Sequence, residues 1–184
     1  MDSMKQILFI QGGGATGVHD QWDDKLVADL GRHLGDGYQI RYPRMPAEDA
    51  PGYASWSAAI RRELAELDAG AAVVGHSIGA TILIQTIAER PPERPLAAIA
   101  LIAAPFVGEG GWPGEGVELS HDLGIRLPAD VPVHVFQGLD DDTVPPAHAD
   151  LYARAMPQAQ VHRLPGRDHQ LNNDLTEVAS AIAV

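Results

Sequence analysis

Cysteine is absent from all 184 residues. That absence removes disulfides, thiolate zinc centres, iron–sulfur clusters and a thiol nucleophile together. Any nucleophile must be Ser, Thr, Asp, Glu, Lys, His or Tyr. Basic residues are scarce as well. Thirteen Lys and Arg stand against 25 Asp and Glu, a net charge of −12. Such a chain repels phosphate backbones and anionic lipid, so neither nucleic acid nor membrane is expected as a partner. Long apolar runs are missing. Ile7-Leu8-Phe9-Ile10, after Met1-Asp2-Ser3-Met4-Lys5, is too short for a signal segment or a membrane span. The expectation is a soluble cytoplasmic protein. Repeats and low-complexity tracts are also lacking. What is present is 45% hydrophobic and 21% charged, a composition that buries a core rather than staying disordered. The length fits one domain over residues 1–184.

Short apolar runs alternate with longer helical patterns. The runs Gln6–Ile10, Tyr38–Tyr42, Ala71–Val74, Ala97–Ala103, Val133–Gln137 and Gln160–Leu164 predict strands. Between them, helical spacing predicts helices over Trp22–Leu34, Trp56–Leu67, Ile78–Ala88, Ala147–Met156 and Leu175–Ala183, with Asp174 placed to cap the last. Strand–helix alternation implies a three-layer α/β/α sandwich on a mainly parallel six-stranded sheet. Right-handed crossovers then bring every strand C-terminus to one edge, where ligands of such sheets bind. The stretch from Pro105 to Pro132 breaks the pattern. It holds five glycines between Gly108 and Gly116, Trp112 and several acids, and predicts an irregular loop with one short helix near His121.

The sharpest local feature is Gly75-His76-Ser77-Ile78-Gly79, between the run Ala71–Val74 and a helical pattern. A strand–turn–helix junction this tight forces strained backbone at the serine, and side chains at the flanking glycine positions would strike neighbouring backbone. The hydroxyl is lifted above the sheet edge, where the helix start aims free N–H groups. The Ile78 N–H is thereby a candidate oxyanion donor. The serine needs a base and the base an orienter. Asp140-Asp141-Asp142 follows the fifth predicted strand and His169 the sixth, both at the edge that carries Ser77. His121 beside Asp122 is the rival base.

This elbow, with the chain order serine, acid, histidine, resembles the α/β-hydrolases. Within them the chain is similar to the small single-domain serine hydrolases represented by retinoblastoma-binding protein 9 and bacterial short esterases. The likeness runs from Gln6 to about Leu171, and no large inserted cap is expected. The family pattern G-x-x-D-x-x-V-P is met by Gly138, Asp141 and Pro145, whereas Asp140 and Asp142 each miss by one. G-x-x-H is met by Gly166 and His169. The resemblance implies Ser77 as nucleophile, His169 as general base and acid, and Asp141 as its orienter. It implies a small-molecule ester substrate and no metal or organic cofactor. The oligomeric state is not legible.

The first strand ends in Gln11-Gly12-Gly13-Gly14-Ala15-Thr16-Gly17. Read literally, Gly12, Gly14 and Gly17 spell a dinucleotide fingerprint. Against it, Val18-His19-Asp20-Gln21 is expected to delay the helix that should open there, and the second strand ends in no ribose-binding acid, leaving Arg41 to meet a 2′-phosphate. The loop resembles the H-G-G-G oxyanion loop with Gln11 in place of His, which implies Gly13 as second donor, with Gly12 and Gly14 as alternatives. Gly12, Gly14, Trp22 and Trp112 are candidate substrate contacts, and the Pro43–Tyr53 and Pro105–Pro132 loops are expected to shape the pocket. Asp140 to Val144 also satisfies D-x-D-x-[TV], a phosphatase-like motif that belongs on a first strand. No spacing of His suggests zinc. The leading expectation is a serine hydrolase cleaving a small ester. The alternatives are a catalytically silent hydrolase-fold scaffold and an NAD(P)-binding oxidoreductase.

Overall fold

Six apolar runs become six strands in a computed structural model that describes residues 3–183. They are β1 (Lys5–Ile10), β2 (Tyr38–Arg41), β3 (Ala72–His76), β4 (Ala98–Ile102), β5 (Val133–Gly138) and β6 (Gln160–Leu164). All neighbours pair in parallel, in the order β2-β1-β3-β4-β5-β6. The strand order reverses between β1 and β3, the kind of switch point at which ligands of open α/β sheets bind. The loops leaving these two strands are the glycine loop and the elbow.

Five helices cover the sheet: α1 (Asp24–Leu34), α2 (Tyr53–Glu66), α3 (Ile78–Glu89), α4 (His148–Ala155) and α5 (Thr176–Ile182). Successive strand residues face opposite sides. Ile7, Phe9, Val74, Ile102 and Phe136 bury against Leu26 and Leu30 of α1 and Val178 and Ile182 of α5. Leu8, Ile10, Val73, Leu101 and Val135 bury against Ile60 and Leu64 of α2, Ile84 of α3 and Tyr152 of α4. Both faces being covered explains why the inner strands read as continuous apolar runs rather than alternating ones. Among the described residues no helix is long and apolar enough to cross a membrane.

The boundaries differ from the sequence reading by one to three residues, and one difference alters an argument. Val18-His19-Asp20-Gln21 does not delay a helix. Val18–Asp23 forms a π-helical segment running directly into α1. Asp174 accepts the N–H of Thr176 at 3.0 Å, so its carboxylate does stand at the start of α5. The 105–132 stretch is irregular as expected but well packed. Phe106, Val107, Val117, Leu119, Leu123 and Leu127 are buried within it. Its one helical piece is a 3-10 turn at Leu123–Arg126, two residues beyond His121.

Candidate active site

Ser77 makes the turn between β3 and α3 alone, with φ 55° and ψ −132°. A non-glycine residue there stores roughly 1–3 kcal/mol of strain. The turn is held from both sides: the Ser77 N–H donates to Ile102 O at 2.8 Å and its carbonyl accepts the Ala80 N–H at 3.0 Å. The flanking glycines have the reason the sequence suggested. A Cβ on Gly75 would stand 2.5 Å from Ala80 Cα, and one on Gly79 would overlie the carbonyl oxygen of Gln11. Both obstacles are backbone and cannot rotate away. Gly79→Ala is therefore expected to destabilise by about 3 kcal/mol, the upper end of overpacking costs. Urea unfolding checks this; a midpoint equal to wild type would refute it.

Three loops at the strand ends bring a chain of hydrogen bonds to this hydroxyl. His169 Nε2 lies 3.0 Å from Ser77 Oγ. His169 Nδ1 lies 2.8 Å from Asp141 Oδ2. The other carboxylate oxygen, Oδ1, accepts the N–H groups of Thr143 and Val144, each at 2.8 Å. Gln137 Nε2 adds a bond to Oδ2 at 3.2 Å. Burial alone would raise the Asp141 pKa, but the bonds from His169, Val144 and Thr143 outweigh it and hold the group below its ordinary value.

Gly138 explains which aspartate turns inward. A Cβ there would collide with the carbonyls of Arg167 and Asp168. Its absence lets the acid loop close on the histidine loop, through Leu139 N–H to Leu164 O at 3.0 Å and Asp140 N–H to Arg167 O at 2.9 Å. Asp141 is thus buried while Asp140 and Asp142 face solvent. The D-x-D-x-[TV] reading fails here. The motif follows β5, and its two outer carboxylates converge on nothing. His121 is also removed from contention, being exposed and bonded to Glu109 at 2.8 Å.

The glycine loop is braced by carboxylates. Gly12 N–H donates to Asp23 Oδ2 at 2.6 Å, and Gly14 N–H to the Glu48 carbonyl at 2.7 Å. The Glu48 side chain accepts from Gly17 N–H (2.6 Å), Gln11 Nε2 (2.9 Å) and His19 N–H (3.0 Å). Gln11, itself buried, ties in Met45 as well, whose N–H donates to its Oε1 at 2.8 Å. The Gly12 and Gly14 N–H groups therefore already have acceptors within the protein. Among the described residues none accepts from the N–H of Gly13 or of Ile78. The dinucleotide reading is disfavoured, because oxygens of Asp23 and Glu48 occupy the N–H groups of Gly12, Gly14 and Gly17 that a pyrophosphate would need, and Arg41 is paired with Glu63 at 2.8 Å.

Glu48 was passed over in the sequence because its partners lie across 29 to 37 residues. The N–H groups of His19 and Gly17, then Gln11 and Arg44, hold its carboxyl below the ordinary value against the opposing effect of burial. A depressed folded-state pKa contributes stability above the unfolded value and loses it as pH falls. Glu48→Gln is expected to melt earlier than wild type near pH 7, and the gap to close as pH drops below about 4.5. Calorimetry across that range checks it; a gap independent of pH would count against the brace.

Trp22 and Trp112 stand apart from the hydrogen-bond path at Ser77. Trp22 is 53% exposed with Lys25 Nζ 5.9 Å from its ring. Trp112 packs edge-to-face on His148, with centroids 5.3 Å apart. No hydrogen bond or ring contact among the described residues joins either to Ser77 or His169. Two other residues do join it. Asp23 and His76 lie buried directly behind Ser77 and His169, and both went unread. The signal available was a polar residue closing an apolar strand, which demands a buried partner. Elsewhere, Asp29, His33 and Asp174 place one potential metal ligand each within 4.8 Å of one another. Arg32 and the Leu175 N–H already engage the two oxygens of Asp29, so the group reads as an ion-pair cluster.

The assembled parts are a strained hydroxyl, a ring nitrogen in reach of it, a carboxylate on the ring's far side and two unclaimed N–H groups. A search among curated protein sequences finds no match. Among solved structures the fold is widely shared. A monoacylglycerol lipase of Paleococcus ferrophilus superposes with a TM-score of 0.69 at 15% identity, over 98% of this chain and 94% of that one. The esterase domain of a Rhodothermus marinus protein gives 0.65 at 22% identity, over 99% and 84%. XC6422 of Xanthomonas campestris, described as an α/β serine hydrolase without a lid, gives 0.62 at 18% identity, over 98% and 80%. A family profile described as serine hydrolase matches residues 16–174. The chain belongs to that serine hydrolase family, built on the α/β-hydrolase fold.

Proposed function

We propose that the protein hydrolyses a small carboxylic ester through an acyl-enzyme on Ser77. The observation that carries this reading is the continuous path Ser77 Oγ–His169 Nε2, 3.0 Å, and His169 Nδ1–Asp141 Oδ2, 2.8 Å. In the first half-reaction His169 takes the Ser77 proton while Oγ attacks the acyl carbon. The carbonyl oxygen becomes an oxyanion, and we assign the N–H groups of Gly13 and Ile78, which have no acceptor among the described residues, as its donors. Collapse breaks the bond to the leaving alcohol, and His169 returns the proton to that oxygen. Water then repeats the sequence on the acyl-serine, freeing the acid and restoring Ser77. Esters are favoured over amides because an alkoxide leaves more readily than an amine. A lipase and an esterase among the structural relatives agree with this choice. We read residues 1–184 as one domain acting on a small molecule in the cytoplasm, with neither nucleic acid nor membrane as partner.

A fluorophosphonate probe tests the proposal, since it phosphonylates only an activated serine. The expected result is a single adduct, mapped by mass spectrometry to Ser77. A folded sample that stays unlabelled would support the silent-scaffold reading instead. Thermal stabilisation by NAD(P) would revive the oxidoreductase reading.

A further inference from the structure

His76 closes β3 immediately before Ser77, and its ring is 1% exposed. Both ring nitrogens face acceptors. Nδ1 lies 3.0 Å from both carboxylate oxygens of Asp23. Nε2 lies 3.0 Å from the backbone carbonyl of His169. A carbonyl oxygen cannot donate, so Nε2 must carry a proton. A neutral ring would then aim the lone pair of Nδ1 at a carboxylate, a repulsive and unsatisfied contact in a site sealed from water. Asp23 in turn accepts the Gly12 N–H at 2.6 Å. One pair of side chains, of which His76 is the residue before Ser77, thus touches the glycine loop and the backbone of His169.

We infer that Asp23 and His76 form a buried imidazolium–carboxylate pair that positions His169 and the glycine loop around Ser77. This rests on the roles proposed above for Ser77, His169 and Gly13. The two are positioning residues, because neither has an atom directed at the Ser77 hydroxyl. Burial alone would strip the extra proton from His76, but the Asp23 charge and hydrogen bond, the His169 carbonyl and the more distant Asp141 outweigh it and push its pKa up. Asp23 is shifted the opposite way: burial would raise it, and the charge and bond of His76, with the Gly12 N–H and the Gln170 side chain, hold it down. The His169 ring, centred 5.0 Å from the His76 ring, is the other titratable group packed against it. The pair is neutral as a unit, so it can remain buried as long as both members are present.

The test combines a spectroscopic and a kinetic readout on the full chain. Nitrogen-15 NMR of histidine-labelled protein should find protons on both ring nitrogens of His76 above the ordinary imidazole value of about 6.5. In Asp23→Ala, which releases the Gly12 N–H and the ring together, kcat on p-nitrophenyl acetate should fall about 100-fold with KM changed less than about threefold. Asp23→Asn should recover most of that loss. Its amide can donate to the bare Nδ1 of a neutral ring, its oxygen can keep the Gly12 N–H, and Nε2 still donates to His169. A role in folding alone would lower the melting temperature without separating kcat from KM. A bare ring nitrogen on His76 in the wild type overturns the inference, as does a folded Asp23→Ala with wild-type kcat. Should Asp23→Ala not fold, a 100-fold loss in Asp23→Asn overturns it instead. The ring's protonation is read without turnover, so a wild type inert to fluorophosphonate would sink the proposed function and still leave this measurement meaningful.

Discussion

Ser77→Ala is expected to lower kcat on a small ester by roughly a millionfold while leaving the fold intact. Two arguments set that size. Nucleophile and base act as one unit, so losing the hydroxyl forfeits the contribution of His169 and Asp141 as well. No other residue can take over. The chain has no cysteine, and the elbow points one side chain alone at His169 Nε2. What survives is a residual acceleration of about 10³–10⁴ over water, from substrate binding and the two N–H donors. Stability should change little. The Oγ makes its one side-chain hydrogen bond to His169, and alanine meets the same positive φ of 55° as serine does. A melting temperature close to wild type is expected, because the backbone strain is unchanged and one part-buried hydrogen bond is lost. Measurable turnover within about a hundredfold of wild type would mean that another group carries the reaction.

Asp141→Asn is expected to cost roughly 10⁴-fold in kcat, again with the fold preserved. Here the size follows from how the amide must orient. Asp141 Oδ1 accepts two backbone N–H groups, from Thr143 and Val144. An asparagine has to keep its oxygen there, since turning the NH₂ toward them would oppose donors to donors. The NH₂ therefore faces His169 Nδ1, and the ring must offer a lone pair on that side. Its single proton moves to Nε2, the nitrogen facing Ser77, and the base is converted to a donor. Asp140→Asn and Asp142→Asn, both at solvent-facing positions, should stay within about twofold of wild type, as surface changes usually do. Kinetics of the three variants side by side decide the matter. Equal losses in all three would show that net charge near the loop counts rather than the one buried carboxylate.

The parts of the molecule that were legible in the sequence are those where local pattern and global fold agree. The alternation of apolar runs with helical spacing fixed the layers, because both sheet faces need covering. The elbow was legible through its glycines, whose missing side chains the structure accounts for atom by atom. Asp141 was picked from three neighbours only by its distance from Gly138 and Pro145, and the physical cause, closure of one loop on another at Gly138, is a contact between segments. What stayed hidden is of that second kind. Glu48 reaches across to the glycine loop from a stretch with no periodicity. Asp23 reads as an ordinary acid at a helix start, and His76 as the free position of a motif. Trp22 and Trp112 stand near glycine-rich loops, and their contacts are with Lys25 in the one case and His148 in the other.

Ser77, Asp141 and His169 leave three different strands, β3, β5 and β6, so the hydrogen-bond path exists only after β4 has joined β3 to β5 and β6 has docked on β5. Parallel strands pair through distant segments and are slow to assemble. Covalent reactivity is consequently a clock for the last step of folding. In a refolding experiment, helical signal should return first, and capture by an active-site probe should appear with the slowest phase, when the strand edge is complete.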